Sequence, residues 1–461
     1  MKARTLLAAL MAASALTACA STGDLPAGAS PLPGAFARAE GGQAAQPDTA
    51  WWTALGDPTL DALVEKALTS NRDLLAAEAE VRRARALADV EAWNFLPFGS
   101  ANTGWSQARD GQPPVNGEVA ALGATASWEA DVFGRIHAGV KAAEADALSV
   151  EEARKGALVT VAAETAAAYV DLRGAQARLA AAQANLKSQT DTLALTEKMK
   201  AAGQGTRLDV ARAREQLETT RSTVSTLEAQ IAGAHDALNV LVAGLTPALE
   251  ALLADPTAVP AAPAQFGVGS PEDLLQRRPD IRQAEARLQA AVARRRAAKV
   301  DWWPRLTVAG GAAWLAPGFG DLGVSDGFSY SIGPRIDWPA LDFRRNALRE
   351  QAAQAGAEAE FHRYDQSVLS GVRDVDTGLA ALSAARVAAR DLDAAAAAAR
   401  EAAELSRVRY RQGADPFFSV LDAERRLSEA EDRLAVARTR EALAYVRLGQ
   451  ALGAGWQARP G

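Results

Sequence analysis

The most extended pattern in the chain is a recurrence of apolar residues at every seventh position. Leu172, Leu179, Leu186 and Leu193 keep it, as do Val210, Leu217, Val224, Ile231 and Leu238. Seven residues fall just short of two helical turns, so helices that hold this period wind around one another with a left-handed supercoil. Gly203 and Gly205 separate the two series and predict a tight turn between paired helices. Val420, Leu427, Leu434 and Leu448 repeat the pattern beyond Gly413, with Glu441 out of keeping. One continuous helix over 135–202 would be roughly 100 Å long, a rod with no use in a globular domain. A different period governs 327–339, where Phe328, Tyr330, Ile332, Ile336 and Trp338 alternate with Ser329, Ser331, Gly333, Arg335 and Asp337. Alternation predicts a strand with one apolar and one polar face. Leu306, Val308, Ala312 and Trp314 predict a second, Leu122, Ala124, Ala126 and Trp128 a third, and 98–107 a weaker fourth.

This order of elements is written twice. At an offset of 207, Asp73, Ala77, Glu78, Ala79, Ala86, Pro97 and Gly104 fall on Asp280, Ala284, Glu285, Ala286, Ala293, Pro304 and Gly311. At 210, Leu195, Gly203, Val210, Ala213, Leu217 and Leu238 fall on Leu405, Gly413, Val420, Ala423, Leu427 and Leu448. Ordered matches that keep Gly and Pro in register predict two homologous halves, 57–244 and 271–452. A Pro- and Ala-rich connector, 245–270, joins them, and a tail covers 453–461. Each half opens with a helix of moderate length, 57–95 and 280–302, followed by two strands and two long helices. Ser270-Pro271-Glu272-Asp273 supplies a helix start, with a cap, a proline and acids in the first turn.

Composition agrees with thin, extended packing: apolar residues reach 49%, largely through Ala, while aromatics are only 6%. Lys2 and Arg4 precede a short apolar stretch from 5 to 18, which reads as an export signal too short to span a membrane. Its end, Leu16-Thr17-Ala18-Cys19, looks like a bacterial lipobox, in which residues 1–18 are removed and Cys19 carries diacylglycerol and an N-acyl chain. Residues 19–56 then form a lipid-anchored extension. Cys19 is the one cysteine of the chain, so no internal disulfide can form. Without Lys2 and Arg4 the formal charge moves from −6 to −8, which argues against a nucleic-acid partner. No stretch offers the 18 or so apolar residues of a transmembrane helix, so any crossing must be made by strands.

A sheet in lipid must close, because unpaired edge groups in hydrocarbon cost several kcal/mol each. Single-chain barrels begin at about eight strands. Four strands per chain therefore predict an oligomer, of two, three or four copies. The residues that carry a resemblance are Leu16-Thr17-Ala18-Cys19, Trp51-Trp52, Gly56-Asp57-Pro58, Ser127-Trp128-Glu129, Asp131-Val132-Phe133-Gly134-Arg135, Arg277-Arg278-Pro279-Asp280-Ile281 and Ala284-Glu285. They resemble the TolC-like outer-membrane factors, in particular the NodT-type lipoprotein branch, over nearly the whole mature chain. The resemblance implies a mainly α-helical protein with a membrane β-portion: a homotrimer whose twelve-stranded β-barrel continues into a long periplasmic α-helical barrel. It implies an exit duct for small toxic compounds, partnered by a periplasmic adaptor (membrane fusion protein) and an inner-membrane pump of RND type. Export of proteins through an ATP-driven type I system is the second reading. By the same resemblance the hairpin tips, Gly203 and Gly205 with Gly413 and Asp415, close the periplasmic entrance. Asp209 and Tyr410 are expected to latch by a hydrogen bond, and Asp422 to stand in an acidic constriction ring. Ser419 takes the other ring position, and Asp415 stands where the family usually has Arg.

Catalysis has little to work with. His137, His235 and His362 are isolated in sequence and lack metal-ligand spacing, so neither metal nor cofactor is expected. Gly318-Phe319-Gly320-Asp321-Leu322-Gly323 matches a dinucleotide fingerprint by letter but leads into a strand, which reads as a hairpin loop. Arg294-Arg295-Arg296 reads as a solvated helix face. A periplasmic adaptor would carry one hairpin rather than two, and a simple envelope tether would not require amphipathic strands.

Overall fold

The computed structural model describes residues 30–38, 42–43, 45–110, 115–318, 320, 322–323 and 327–458. Cys19 and the leader 1–18 lie outside the described residues, as do Phe319 and Asp321 of the fingerprint-like stretch. The chain forms two compact units, and each draws on both sequence halves.

The first unit comprises Asn94–Ala142 and Leu288–Asp365, with the described residues of Met1–Pro31. Its centre is an antiparallel sheet of β2 (Phe98–Asp110), β3 (Val115–Ala130), β5 (Arg305–Ala316) and β6 (Phe328–Asp337), in that spatial order. Each half supplies one hairpin, and β3 joins β5 with Leu122 opposite Trp314 and Trp128 opposite Val308. The register gathers Trp105, Leu122, Trp128, Trp314, Phe328, Tyr330, Ile332 and Ile336 on one face. That face is open: Tyr330, Ile332 and Ile336 are 76%, 78% and 70% exposed. The opposite face carries Asn102, Thr125, Ser329, Ser331, Arg335 and Asp337. Tryptophans at equivalent strand ends anchor the sheet, the Trp128 indole donating to Phe95 O at 2.9 Å and that of Trp338 to Trp302 O at 3.2 Å. Asp131 turns β3 into the next helix by accepting from the Ile136 and His137 amides, both at 2.9 Å, while Gly134 takes a positive φ.

The second unit comprises Leu32–Trp93, Ala143–Arg287 and Gln366–Gly461. The leading helix expected over 57–95 is two helices, α1 (Pro58–Ser70) and α2 (Arg72–Ala92), and ends in a 3-10 turn at Trp93–Phe95. Asn71 breaks it: its ψ of 133° is not helical, its side chain caps α2, and its amide donates to Leu241 O at 2.9 Å. A tertiary hydrogen bond thus outweighs local continuity. Long helices α3 (Arg135–Ala201) and α4 (Arg207–Leu241) follow, and then α5 (Pro247–Ala254), an eight-residue helix inside the stretch read as a connector. β1 (Gly42–Gln43) and β4 (Phe266–Gly267) form a small parallel pair. The second half has α6 (Asp273–Arg277), α7 (Pro279–Val300), α8 (Phe343–Arg411) and α9 (Phe417–Ala451). Arg278, at the 207-residue offset from Asn71, occupies the matching break and donates to Ala451 O at 2.8 Å.

Within the apolar core of this unit a polar chain is set among Trp51, Trp52, Leu60, Leu63 and Val64, all buried. Asp57 caps α1 and accepts from the Tyr169 hydroxyl at 2.6 Å, and that hydroxyl accepts from Arg173 Nε at 3.0 Å. The fully buried Arg173 then donates to the carbonyls of Leu252 and Asp255 at 2.9 and 2.7 Å. Those are orphan acceptors at the C-terminal end of α5, so one guanidinium fastens the connector to α3.

Candidate functional site

Both hairpin turns are built by the same backbone device. Gly203 (φ 76°) and Gly413 (φ 74°) take the left-handed conformation that glycine adopts without steric cost. Their amides bond Lys200 O and Tyr410 O at 3.0 Å, and the next amides bond Met199 O and Arg409 O at 2.9 Å. The side chains beyond the turns differ. Thr206 and Asp209 form a reciprocal capping box at the start of α4, with the Asp209 carboxylate accepting from the Thr206 amide (2.9 Å) and hydroxyl (2.6 Å). At the second tip α9 starts after Pro416 without a side-chain cap, and Asp415 instead takes a two-pronged pair from Arg409 at 2.7 and 2.8 Å. That pair holds the Asp415 carboxyl below the usual carboxylate range.

Tyr410 is buried among Ala213 of α4 and Phe417 and Val420 of α9, with Leu193, Leu195 and Met199 of α3 against them. One aromatic ring therefore joins both hairpins near their tips. Burial pushes its phenol pKa up, and the nearby Asp209 charge adds to the rise. The two residues are close, but the expected hydrogen bond is not made within the chain, because the Asp209 carboxylate is held by the cap.

Ser419 and Asp422 line a shallow groove of about 340 Å³ with Phe418 and Ala399. The Asp422 carboxylate accepts from Arg425 (3.1 Å) and Arg426 (2.8 Å), which hold it in its charged form below the usual range and offset its charge. A sequence reading that weighs Asp422 alone overstates the local negative charge.

Behind the tips lies a pair that sequence reasoning missed. Buried Glu424 accepts from Thr192 at 2.7 Å and from Arg407 at 2.8 Å. At the 210-residue offset stand Arg214 and Glu197, which form an exposed ion pair at 3.3 Å with the charges exchanged. The heptad leucines of α3 are only partly buried at Leu186 and Leu193, whereas Asn185, Gln189, Thr192 and Thr196 are buried. The contact between α3 and α9 is thus polar, through Asn185 to Glu431 and Thr192 to Glu424. The signal was present as a second, polar row offset from the leucines.

No helix among the described residues is long and apolar enough to cross a membrane, and no acid, His and Cys cluster there could hold a metal. The profile of the family described as Outer membrane efflux protein matches residues 63–244 and 270–454. Outer membrane protein OprJ of Pseudomonas aeruginosa is 32% identical, over 98% of this chain and 96% of the relative. Toluene efflux pump outer membrane protein TtgC of Pseudomonas putida is 28% identical, over 93% and 89%. The solved structure of the outer-membrane channel OprN superposes with a TM-score of 0.86 at 33% identity, over 94% of this chain and 98% of that one.

Proposed function

Because the chain belongs to the outer membrane efflux protein family, we propose that it is the homotrimeric, lipid-anchored exit duct of a tripartite pump for small toxic compounds. The family is one of outer-membrane efflux channels, which transport and do not catalyse. The observation that carries the trimer is the sheet. Among the described residues β2 and β6 each have a single strand neighbour, and the apolar face beside those edges is open to the surroundings. Three copies would join β6 to β2 and close twelve strands, removing every edge from hydrocarbon. The polar face, with Ser331, Arg335 and Asp337, would then line the bore.

The tips at Gly203, Gly205, Gly413 and Asp415 would meet the periplasmic adaptor, which delivers compounds from an RND-type inner-membrane pump. Asp209, Tyr410, Ser419 and Asp422 form the gate of this reading, in which the packing of Tyr410 across both hairpins would hold it shut, while the Asp422 pairs, both within α9, would set the charge at the constriction. A relative named for toluene efflux supports small apolar cargo over the protein cargo of a type I system. Cys19 would carry the lipid that places the protein at the outer membrane.

Purified full-length protein should run as a heat-modifiable trimer and conduct ions in planar bilayers. A soluble single copy without conductance would overturn the reading. Cells lacking the gene should become sensitive to organic solvents or dyes; unchanged sensitivity together with a lost secreted protein would favour the type I alternative.

A further inference from the structure

α9 is packed on three sides and open on the fourth. Toward α3 it presents Asp432, paired with Arg178, and Thr439, set against Gly174. Toward α8 it presents Arg438 and Glu441, paired with Asp393 and Arg386. Its back is closed at Gly449 by the Trp51 ring. The remaining face carries Arg426, Arg433, Arg440 and Arg447, all exposed and seven residues apart. Seven residues bring a side chain back to within about 20° of its starting direction. The four guanidinium groups therefore form one row, stepping about 10 Å at a time.

Arg426 is paired with Asp422 at 2.8 Å, and Arg433 is 3.6 Å from Glu429. Arg440 and Arg447 have no hydrogen-bond or ion-pair partner among the described residues. They stand on a groove of about 940 Å³ between α8 and α9, whose wall includes Arg278, Arg373, Arg440 and Arg447 against a single acid, Asp374. That acid is already taken by Arg278 at 3.3 Å and Arg373 at 2.7 Å. Asp171 of α3 lines the adjoining groove beside Arg440, and the charge of Arg447 acts on its carboxyl, offsetting part of the rise that burial imposes on its pKa, although neither arginine makes a hydrogen bond or ion pair with it. Leu443, Ala444 and Ala381 give the larger groove an apolar wall. At the 210-residue offset the row reads Gln216, Thr223, Gln230 and Ala237, so the charge belongs to the second half alone and is not the ordinary dressing of a solvated helix.

We propose that this face of α9 is a binding track for amphiphilic organic anions. Arg440 and Arg447 take the carboxylate, sulfonate or phosphate, and Leu443 and the alanines hold the apolar body. Guanidinium forks match such groups through paired hydrogen bonds. Arg440 and Arg447, one repeat apart, supply two successive weak sites, and conduction requires sites weak enough to release their cargo. The proposal rests on the channel reading, in which this open face lines the passage.

The test uses the full-length protein in planar bilayers, with naphthalene-2-sulfonate as the probe and neutral 2-naphthol beside it. The sulfonate should block the current far better than 2-naphthol. R440Q/R447Q should weaken that block at least about tenfold, the loss of one charge-assisted contact, and shift the zero-current potential in a KCl gradient toward cations. R440K/R447K should keep most of the shift in potential but lose part of the block. Equal block of the wild type and R440Q/R447Q overturns the track, as does equal block by the two probes. Dissociation of the R440Q/R447Q trimer would also overturn it, marking the face as a contact between copies. A wild type that does not conduct refutes the channel reading itself, a different failure from a conducting channel indifferent to the sulfonate.

Discussion

Tyr410 joins the two hairpins through its ring, and its hydroxyl makes no bond to Asp209. Tyr410→Phe should therefore leave single-channel conductance unchanged, whereas Tyr410→Ala removes a buried ring, costs about 3 kcal/mol or more of packing, and should raise conductance. A large effect of the Phe variant would restore the hydrogen-bonded latch. Acid should act on the tips through Asp415 and Asp422, whose carboxyls both lie below the ordinary value. A depressed folded value means that their pairs with Arg409, Arg425 and Arg426 contribute fully above the unfolded pKa, about 3.9, and are lost as pH falls through the folded values. Conductance should be flat from pH 7 to about 5 and change only below about 4, a step that Asp415→Asn combined with Asp422→Asn should abolish. Both pairs are exposed to salt, so the step should shrink at high ionic strength.

Among the elements, the connector shows how one buried side chain replaces a run of local signals. α5 is only eight residues long, too short to hold itself in water, and its last carbonyls are taken by Arg173. Arg173→Met would leave those acceptors and Gln176 without their donor, at about 3 kcal/mol. Hydrogen exchange should rise across 247–255 and stay unchanged at the tips; protection retained in 247–255 would show that the connector holds without the guanidinium. The long helices and the four strands of the sheet were legible because periods of seven and two are set by backbone geometry, although Leu186 and Leu193 of the α3 heptads are less buried than the polar row beside them. The Asn71 break was not, since Asn71 lies inside an unbroken apolar pattern and its capping becomes decisive only with Leu241 O beside it. Glu441, the misfit of the heptad series, is answered by Arg386 on another helix at 3.7 Å.

For the whole molecule, the two faces of the sheet make opposite predictions. Ile332→Arg places a charge on the apolar face, which in lipid costs about 2–4 kcal/mol near the midplane, and should reduce the heat-modifiable trimer in membranes. Ser331→Arg, one residue away on the polar face, should leave assembly intact and change ion selectivity. Equal behaviour of the two variants would sink the assignment of lipid and bore. Cys19→Ser should abolish palmitate labelling and loosen membrane attachment, and labelling that persists would place the lipid elsewhere.

What the residues determined by themselves is the part that repeats. Heptads imposed long paired helices, alternation imposed strands with an apolar and a polar face, and glycines in matching places imposed the turns, because each is a local consequence of backbone geometry. Gly203 and Gly413 could be named as turn residues from spacing alone, and the count of four strands falls short of the roughly eight with which a closed single-chain barrel begins. Tertiary structure decided the pairings. It gave Asp209 to Thr206 instead of Tyr410, surrounded Asp422 with two arginines, buried Glu424 beside Arg407, and left Arg440 and Arg447 facing an open groove. A charged side chain reaches several ångströms and binds whichever neighbour the packing supplies, so its partner is a property of the fold and not of its place in the chain.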